Sequence, residues 1–420
     1  MFERDTWQEI YSVLRRNKMR TFITAFGVIW GIFMLVLLLG AGTGLRNGVF
    51  SMYGDFATNS IFMWSQQTTM PYKGFRRGRQ IIFNSSDTKS IKNQVNEIQY
   101  ITPRINITGW GLNSLVIRKK ESASFNIIAE YPDYYKIDPI DITQGRYLNE
   151  ADIEEERKVA VIGKSAYESL YKPDEDPIGT YIKVNDSYFQ VVGSFESQHG
   201  EQWGEWQNSW VVLPFTTAKK IYNMGDVVGW YAITAKPGYS VTEVGQKIRT
   251  LLKQRHRIAP EDDQAIGEQN VEEEFKKMVG LFNGINAIVL IVGLGTLLAG
   301  VIGVSNIMLI TISERTREIG IKRALGATPV KIISQILYEA TALTFIAGYV
   351  GLVLGLILVE VVRKVLASLP QQPSMFQNPT VAVNLVISAL VIIVIAGLLA
   401  GIMPARRALK IKPLKPSEFK

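Results

Sequence analysis

Four long apolar stretches dominate the pattern along this chain of 420 residues. Residues 21–45, 278–313, 340–359 and 365–405 contain no Asp, Glu, Lys or Arg. About 20 apolar residues in a helix suffice to cross the hydrocarbon core of a bilayer. We therefore predict four transmembrane helices: Thr21–Leu45, Val279–Ile312, Ala340–Val359 and Val381–Met403.

The first apolar stretch has an alternative interpretation as a cleaved signal peptide, because basic residues precede it in the segment 15–20. The apolar part of a signal peptide is about 7–15 residues long and ends in a small-residue cleavage site. The stretch here is longer and shows no clear site of that kind. We favour a retained helix.

The polar stretch 46–275 lies between the first and second apolar segments and is large enough for one or two soluble domains. Its pattern alternates strands with helices. We predict strands, a hairpin with its turn at Asn185-Asp186-Ser187, and helices, as follows: strands Lys158–Ser165 and Ser209–Pro214, hairpin strands Tyr181–Val184 and Tyr188–Val192, helical segments Ala166–Tyr171 and Ser240–His256. The predicted fold is an α-helical bundle of four transmembrane helices with a large mixed α/β extracytoplasmic domain inserted between helices 1 and 2.

Charge predicts the orientation. The segments 1–20, 313–336 and 403–420 together carry 16 basic and 6 acidic residues, whereas the rest of the chain carries 30 basic and 32 acidic residues. Positively charged segments stay in the cytoplasm. We expect both termini and the loop 313–336 inside, and three regions: residues 1–45 with a cytoplasmic N-terminal helix and the first span, residues 46–275 outside, and residues 276–420 with spans two to four and a basic tail. Within the first region, 2–14 is predicted to be an interfacial helix, with an ordinary cytoplasmic extension of the first span as the alternative.

Composition excludes several kinds of chemistry. The chain has no Cys and two His far apart in sequence, so disulfides, thiolate nucleophiles and Cys-ligated or His-rich metal motifs are absent. The segment VAVIGKS (159–165) lacks the first Gly of a phosphate-binding loop, since Lys158 stands there. No charged residue lies within the apolar stretches, which argues against an ion or proton pathway. We expect no enzymatic activity, no cofactor on this chain and no nucleic-acid partner.

Small residues recur four positions apart in each apolar stretch: Gly27 with Gly31, Gly295 with Ala299 and Gly303, Gly351 with Gly355, and Gly397 with Gly401. This spacing lets helix backbones approach closely in lipid, although Gly is common in membrane helices generally. We predict a tightly packed bundle.

The short loop 312–327, ISERTREIGIKRALGA, predicts two helices that meet at a corner. Gly320 in mid-helix costs about 1 kcal/mol of helix propensity, which suggests that another protein's surface approaches there. Gly326 can end the helix in a left-handed conformation, and Thr328 with Pro329 can start the next one. A plain turn with a solvated charged face remains the alternative.

Residues 314–327, ERTREIGIKRALGA, resemble the signature of the MacB/FtsX family of ABC-transporter permeases. Further resemblances follow in the same order: RRNKMRTFITAFGVIWG (15–31), GRYLNEAD (145–152), VAVIGKSAYESLY (159–171), DPIGTYIKVNDSYFQVVGSFE (176–196), VVLPF (211–215) and MPARRALKIKPLKPSE (403–418).

The resemblance implies a permease without a fused ATPase domain in the cell (inner) membrane. Its coupling element would dock on a separate cytoplasmic ATPase, which binds the ATP, through these positions: Glu314, Arg315, Glu318, Ile319, Gly320, Arg323, Ala324, Gly326 and Ala327. The outer domain would contain an inserted, mostly β subdomain near 144–198. Expected partners are a second permease copy or paralogue, membrane lipids and, in export systems, a periplasmic adaptor and an outer-membrane channel.

The functions implied are export of substrates from the outer side of the membrane or, alternatively, lipoprotein release. A membrane-anchored receptor or scaffold without a transport cycle is the rival from another class. Trp203, Trp206 and Trp210 crowd one loop without matching a family motif. Exposed aromatic side chains there would form a contact site for a partner or substrate. The alternative is that they fold back onto their own domain.

Overall fold

The computed structural model describes residues 18–51, 57–107, 109, 112–369 and 375–409. The predicted interfacial helix at 2–14 and the end of the basic tail lie outside the described residues. The chain divides into two compact units. We call residues 50–280 the sheet unit, and the remainder of the chain the helical unit.

The sheet unit is a mixed α/β structure, which confirms the predicted class. Its strands are β1 Ser60–Ser65, β2 Ile98–Asn106, β3 Ser114–Arg118, β4 Glu121–Glu130, β5 Ile140–Gly145, β6 Val159–Gly163, β7 Tyr181–Val184, β8 Ser187–Ser197, β9 Trp210–Pro214, β10 Trp230–Ala235 and β11 Ile266–Asn270. The first helix of the chain, α1 Lys18–Ser51, belongs to the helical unit. The helices of the sheet unit are α2 Ser85–Gln94, α3 Glu150–Glu154, α4 Lys164–Leu170, α5 Glu201–Asn208, α6 Phe215–Ile221 and α7 Val241–Arg255, and the chain leaves this unit through α8 Val271–Glu314.

All eleven strands join one sheet that has an open part and a closed part. The open part runs β11-β1-β10-β2 with antiparallel neighbours. The strands β4, β3, β7, β8, β6 and β9 pair in a ring, because β9 returns to β4 in parallel register with Val211 opposite Ile127. Two strands of the segment 144–198 pair with strands outside it: β7 pairs with β3, and β6 pairs with β9.

Local sequence explains these elements. The hairpin of β7 and β8 is confirmed, with Asn185 at φ +51° in a two-residue turn that is one residue shorter than predicted. Its strands alternate, so that Ile182 and Val184 are buried. The predicted helix near 240–256 is α7, which buries the apolar side chains Val241, Val244, Ile248 and Leu252.

The helical unit contains α1 Lys18–Ser51, most of α8, α9 Thr316–Ala324, α10 Pro329–Ser368 and α11 Val383–Ala408. Four helices in the described residues, α1, α8, α10 and α11, are long and apolar enough to cross a membrane. The four-span prediction is thereby confirmed. The second helix, with 44 residues, is longer than its predicted span and begins eight positions earlier, within the sheet unit.

Three of the four small-residue sets lie at helix contacts. Gly27 faces the Cα of Gly300 on α8, and a Cβ at Gly351 would meet the carbonyl oxygen of Ile29 on α1. A Cβ at Gly397 would come within 2.8 Å of the Cα of Thr341 on α10. Gly295 and Gly303 of α8, in contrast, face open space in the described chain. The prediction of close packing at small residues is therefore correct for α1, α10 and α11. It does not hold for the face of α8 that carries Gly295 and Gly303, which no other described helix approaches.

Candidate functional site

The candidate coupling corner comprises residues 312–330, where α8 ends, α9 follows and α10 begins. The backbone changes direction at Arg315, whose φ of −98° and ψ of 12° interrupt the helix. The Thr316 hydroxyl donates to the carbonyl of Ser313 at 2.8 Å. Ser and Thr side chains that bond back to the preceding turn favour bends. Ser313 and Thr316 are the local sequence signal for this break, which is not among the sequence predictions.

The C-terminal end of α9 is closed by two backbone hydrogen bonds. Ala327 N–H donates to the Lys322 carbonyl at 3.0 Å, and Gly326 N–H donates to the Arg323 carbonyl at 3.2 Å. This is the Schellman arrangement, in which the donor of the shorter-range bond, the second residue after the helix, has a left-handed backbone conformation. Gly326 supplies it at φ +93°, as predicted.

The start of α10 agrees with the sequence in its backbone but not in its side-chain cap. Thr328 occupies the N-cap position with an extended ψ of 148°, and Pro329 takes the first helical position. The Thr328 side chain makes no capping hydrogen bond. The fixed φ of proline is enough to start a helix at this position, where its missing N–H costs nothing.

Polar side chains brace α9 against its neighbours. The Arg315 guanidinium lies 3.5 Å from the Glu339 carboxylate of α10, and Arg323 donates to the carbonyl of Leu409, just after α11, at 3.1 Å. These partners are 24 and 86 residues away in sequence, so no local pattern could identify them. Side-chain contacts therefore attach the start of α9 to α10 and its end to the residue that follows α11.

Apolar packing supplies the rest of the attachment. Ile319 and Ala327 pack, partly buried, on a cluster that includes Ile312, Ile332 and Ile336. Gly320 is buried within the chain itself. Its burial means that a partner would not contact Gly320 directly in this conformation, and the approach of another protein at this residue remains a prediction. The role of Gly320 in coupling to the ATPase also remains a prediction.

The outer face of the corner mixes charge with apolar surface. Among the predicted coupling residues, Glu314, Glu318, Ala324 and Gly326 are exposed, while Arg315, Ile319, Arg323 and Ala327 are half-buried. Leu325, which is not among the predicted coupling residues, has a side chain that is 81% exposed. Leu325 adds exposed apolar surface to the charged groups of the corner.

The three tryptophans of the second candidate site are separated by burial. Trp203 is 49% exposed on α5 and packs edge-to-face on Trp206, with ring centroids 5.2 Å apart. Trp206 in turn packs on Trp210 at 4.8 Å. Trp210 is buried, so it supports the other two from beneath and offers no contact face of its own.

A buried polar network holds α5 in place. The Asp138 carboxylate accepts from Tyr134 at 2.9 Å and Gln207 at 2.9 Å, and lies 2.8 Å from the His199 ring nitrogen. The neighbouring Arg104 guanidinium stacks 3.5 Å above the Tyr134 ring centroid. The helix that carries the exposed tryptophans is therefore hydrogen-bonded to a buried carboxylate of the sheet unit.

The described residues show neither a phosphate-binding site at the segment 159–165 nor a metal site. Lys164 starts α4 and pairs with Glu196 at 2.6 Å, as an ordinary surface lysine does. Within the residues that the structure describes, no group of three His, Asp or Glu side chains is arranged to hold a metal ion.

Comparison with known families decides the assignment. The family model described as a MacB-like periplasmic core domain matches residues 21–251, more than half of the chain. The chain belongs to the MacB/FtsX family of ABC-transporter permeases. A second model of the same family, the FtsX-like permease C-terminal region, matches residues 290–413, which include the coupling corner. The chain is thus a multi-pass membrane protein of a permease family.

Relatives of this MacB/FtsX permease cover nearly all of it. It is 28% identical to the pyoverdine export ATP-binding/permease protein PvdT of Pseudomonas entomophila, over 97% of this chain and 58% of that protein. It is 27% identical to the macrolide export ATP-binding/permease protein MacB of Nitrosomonas europaea, over 97% of this chain and 59% of that one. The chain therefore spans about three fifths of the length of these relatives.

A relative of similar length and a solved structure are also similar to this chain. An uncharacterized ABC transporter permease of Methanocaldococcus jannaschii, MJ1507, is 26% identical over 96% of this chain and 94% of its own length. Among solved structures, the periplasmic region of MacB from Actinobacillus actinomycetemcomitans aligns with a TM-score of 0.43 and 20% identity, covering 54% of this chain and 94% of that one.

Proposed function

We propose that this permease couples ATP hydrolysis by a separate cytoplasmic ABC ATPase to movements of its sheet unit, and so exports substrates from the outer side of the membrane. The observation that carries the proposal is the construction of the coupling corner. Its outer face presents Glu318 and Leu325, whereas its inner face is fixed to the ends of three apolar helices.

The attachments of α9 suggest how a displacement would spread. α9 follows α8 directly, contacts α10 through Arg315 and Glu339, and contacts the end of α11 through Arg323. A partner that pushed on the exposed face would therefore act on all three helices together. The same bonds keep α9 from tilting alone, since it could move independently only by breaking them.

The orientation in this proposal follows the charge distribution. Both termini and the corner lie in the cytoplasm, and the sheet unit lies outside, because the basic excess is concentrated in the three segments that flank the spans. Basic side chains there would also contact the headgroups of anionic membrane lipids.

The open face of α8 supports pairing with a second permease copy or a paralogue. Gly284, Gly295 and Ala299 are exposed on this face, with the side-chain amide of Asn306 further along the same helix. Small residues permit close approach of another helix, and an amide in hydrocarbon gains from a partner. A second transmembrane helix would satisfy both requirements.

The substrate class in this proposal rests on relatives whose names state pyoverdine export and macrolide export. Exposed Trp203 and Trp206 supply a surface for a substrate, or for the adaptor and outer-membrane channel of an export system. Lipoprotein release is the second candidate within the family. A receptor or scaffold would need no ATPase, which gives the discriminating experiment.

The experiment is co-purification of the ATPase with variants of the corner. Leu325→Glu and Glu318→Lys alter exposed side chains, so the fold should survive, while ATPase binding should fall by about tenfold or more if the face is desolvated in the complex. Matched controls are Tyr188→Glu and Lys183→Glu on the sheet unit. Wild-type ATPase recovery and ATP hydrolysis with both corner variants would refute the docking role of the corner, whereas the absence of a co-purified ATPase from the parent protein would favour the receptor or scaffold.

A further inference from the structure

A basic hairpin protrudes from the sheet unit between β1 and α2. We call residues 66–81 the basic finger. Its tip is a two-residue turn in which Tyr72 and Phe75 exchange backbone hydrogen bonds of 3.1 and 2.9 Å, with Lys73 at φ +49° and Gly74 at φ +86°. Positive φ at both central residues is typical of the type I′ turns that close tight hairpins.

The base of the finger is fixed to the rest of the sheet unit. The Asp262 carboxylate accepts from the Thr69 amide and hydroxyl, each at 2.7 Å, and from the Met70 amide at 3.2 Å. On the other side, Arg79 donates to the backbone carbonyl of His256 at 2.5 Å and stacks 4.2 Å from the Phe75 ring centroid. These bonds make the finger a pre-organised projection, so binding through it would cost little ordering entropy.

The finger carries an excess of positive charge. It contains four basic residues and no acidic one. Lys73, Arg76 and Arg77 are exposed and lie in no ion pair with any residue that the structure describes. Met70 and Phe75 are exposed among them. Arg, Phe and Met side chains on one projection are the types enriched in protein–protein interfaces.

The remainder of the sheet unit has the opposite sign. Residues 50–280 carry 27 basic and 30 acidic residues, a net charge of −3, so the part outside the finger has a net charge of −7. An acidic partner would be repelled by most of this unit and attracted to the finger. Charge patterns of this kind orient a partner and accelerate its association.

We propose that the basic finger is a docking site for an acidic protein surface in the compartment that the sheet unit occupies. A protein fits better than a lipid surface, because lipid-binding clusters usually hold about 4–8 basic residues, and only three exposed cations stand here. Arg76 and Arg77 would pair with partner carboxylates, and Phe75 would fill an apolar contact between them. This surface is separate from the ATPase corner, so failure of either proposal leaves the other intact.

The test uses the full-length protein in neutral-lipid nanodiscs and two defined probes. One is a fluorescent peptide rich in Glu and Phe, and the other is a set of vesicles of phosphatidylcholine and phosphatidylglycerol. The finger variant is Arg76→Glu with Arg77→Glu. The matched control, Lys120→Glu with Lys172→Glu, makes the same charge change at two other exposed positions of the sheet unit.

We expect the finger variant to bind the peptide at least about tenfold more weakly than the control variant does. Phe75→Ser should weaken binding severalfold without a change in net charge. Equal thermal unfolding midpoints for all variants show that the fold is intact. Equal peptide affinities of the finger and control variants, or no binding by the parent, would overturn the proposal. Vesicle binding that depends on the finger would assign it to lipid and overturn the proposal as well.

Discussion

The sheet unit and the helical unit are packed by different physical means. The sheet unit buries bulky side chains such as Phe83, Phe189 and Tyr231, and it also encloses the ion pair of Arg104 and Glu130. The helical unit instead brings its helices together at glycines such as Gly351 and Gly397. Burial of apolar surface drives folding in water, whereas close backbone contact must hold helices together in lipid.

The difference teaches where each unit is sensitive to substitution. A water-exposed domain can hold an ionic pair in its core as long as both partners remain, because each charge compensates the other. The apolar part of the helical unit does not depend on a buried ion pair of this kind. Its helices approach so closely at glycines that an added side chain has no room. The two units should therefore fail through different single changes.

The largest expected effect is the removal of one member of the buried pair. Arg104 and Glu130 approach to 2.5 Å, Tyr147 donates to Glu130, and burial raises the pKa of Glu130 while Arg104 opposes the rise. Glu130→Ala should destabilise the sheet unit by about 3–5 kcal/mol, because it leaves Arg104 buried without its counter-charge. Urea unfolding of residues 50–280, expressed alone and followed by circular dichroism, measures the loss.

The control for that experiment is the double variant Arg104→Met with Glu130→Leu. Replacement of a buried pair by apolar side chains of similar volume is often neutral or stabilising. A double variant as unstable as Glu130→Ala would mean that shape, and not charge compensation, governs this core. A non-cooperative transition in the parent fragment would show that the sheet unit needs the helical unit to fold.

A smaller effect is expected in the bundle. Gly351→Ala places a Cβ against the Ile29 carbonyl, and overpacking of this kind typically costs about 1–3 kcal/mol. Gly42→Ala on α1 is the matched control, because the Cβ it would add makes only an ordinary contact, 3.6 Å from the side-chain oxygen of Asn286. Thermal unfolding of the full chain in detergent should separate the two variants. Equal midpoints would contradict the account of glycine packing in this unit.

The smallest predicted effect is a pH dependence of the sheet unit. Hydrogen bonds from Arg118 to Glu175 lower the pKa of this carboxyl from 4.5 to about 2. A carboxyl with a lowered folded-state pKa contributes stability that is complete above about pH 4.5 and is lost as the pH falls toward 2. Glu175→Gln should therefore be less stable than the parent at neutral pH, with the difference shrinking in acid.

Fragment stability as a function of pH measures this effect, with Glu121→Gln as the control. Glu121 is an exposed carboxylate in no ion pair among the described residues. A stability difference between parent and Glu175→Gln that stays constant from neutral to acid pH would refute the assignment to the Arg118 pair.

Local signals predicted much of this structure. Alternation gave the hairpin at Asn185, and apolar periodicity gave α7 and the four long helices. Gly326 and Pro329 predicted the end of α9 and the start of α10, because their backbone preferences act without regard to the rest of the fold. Such features depend on neighbours within a few residues.

Long-range features could not be predicted in the same way. The parallel pairing of β4 with β9, which closes the ring, joins segments more than 80 residues apart. The bracing of Arg315 by Glu339 and the burial of Gly320 depend on where α10 and α11 lie beside α9. The same mid-helix glycine is compatible with a partner's surface or with internal packing, and only the fold distinguishes them.

The central claim is that the outer face of the coupling corner docks the ATPase. Because the chain has no Cys, Leu325→Cys introduces a single thiol at the tip, and Tyr188→Cys provides an equally simple reference on the sheet unit. The measurement is the rate of modification of each thiol by maleimide in nanodiscs, with and without the purified ATPase. The account predicts that the ATPase slows modification at residue 325 by about tenfold or more and leaves residue 188 unchanged. Equal rates at residue 325 with the ATPase bound would contradict it.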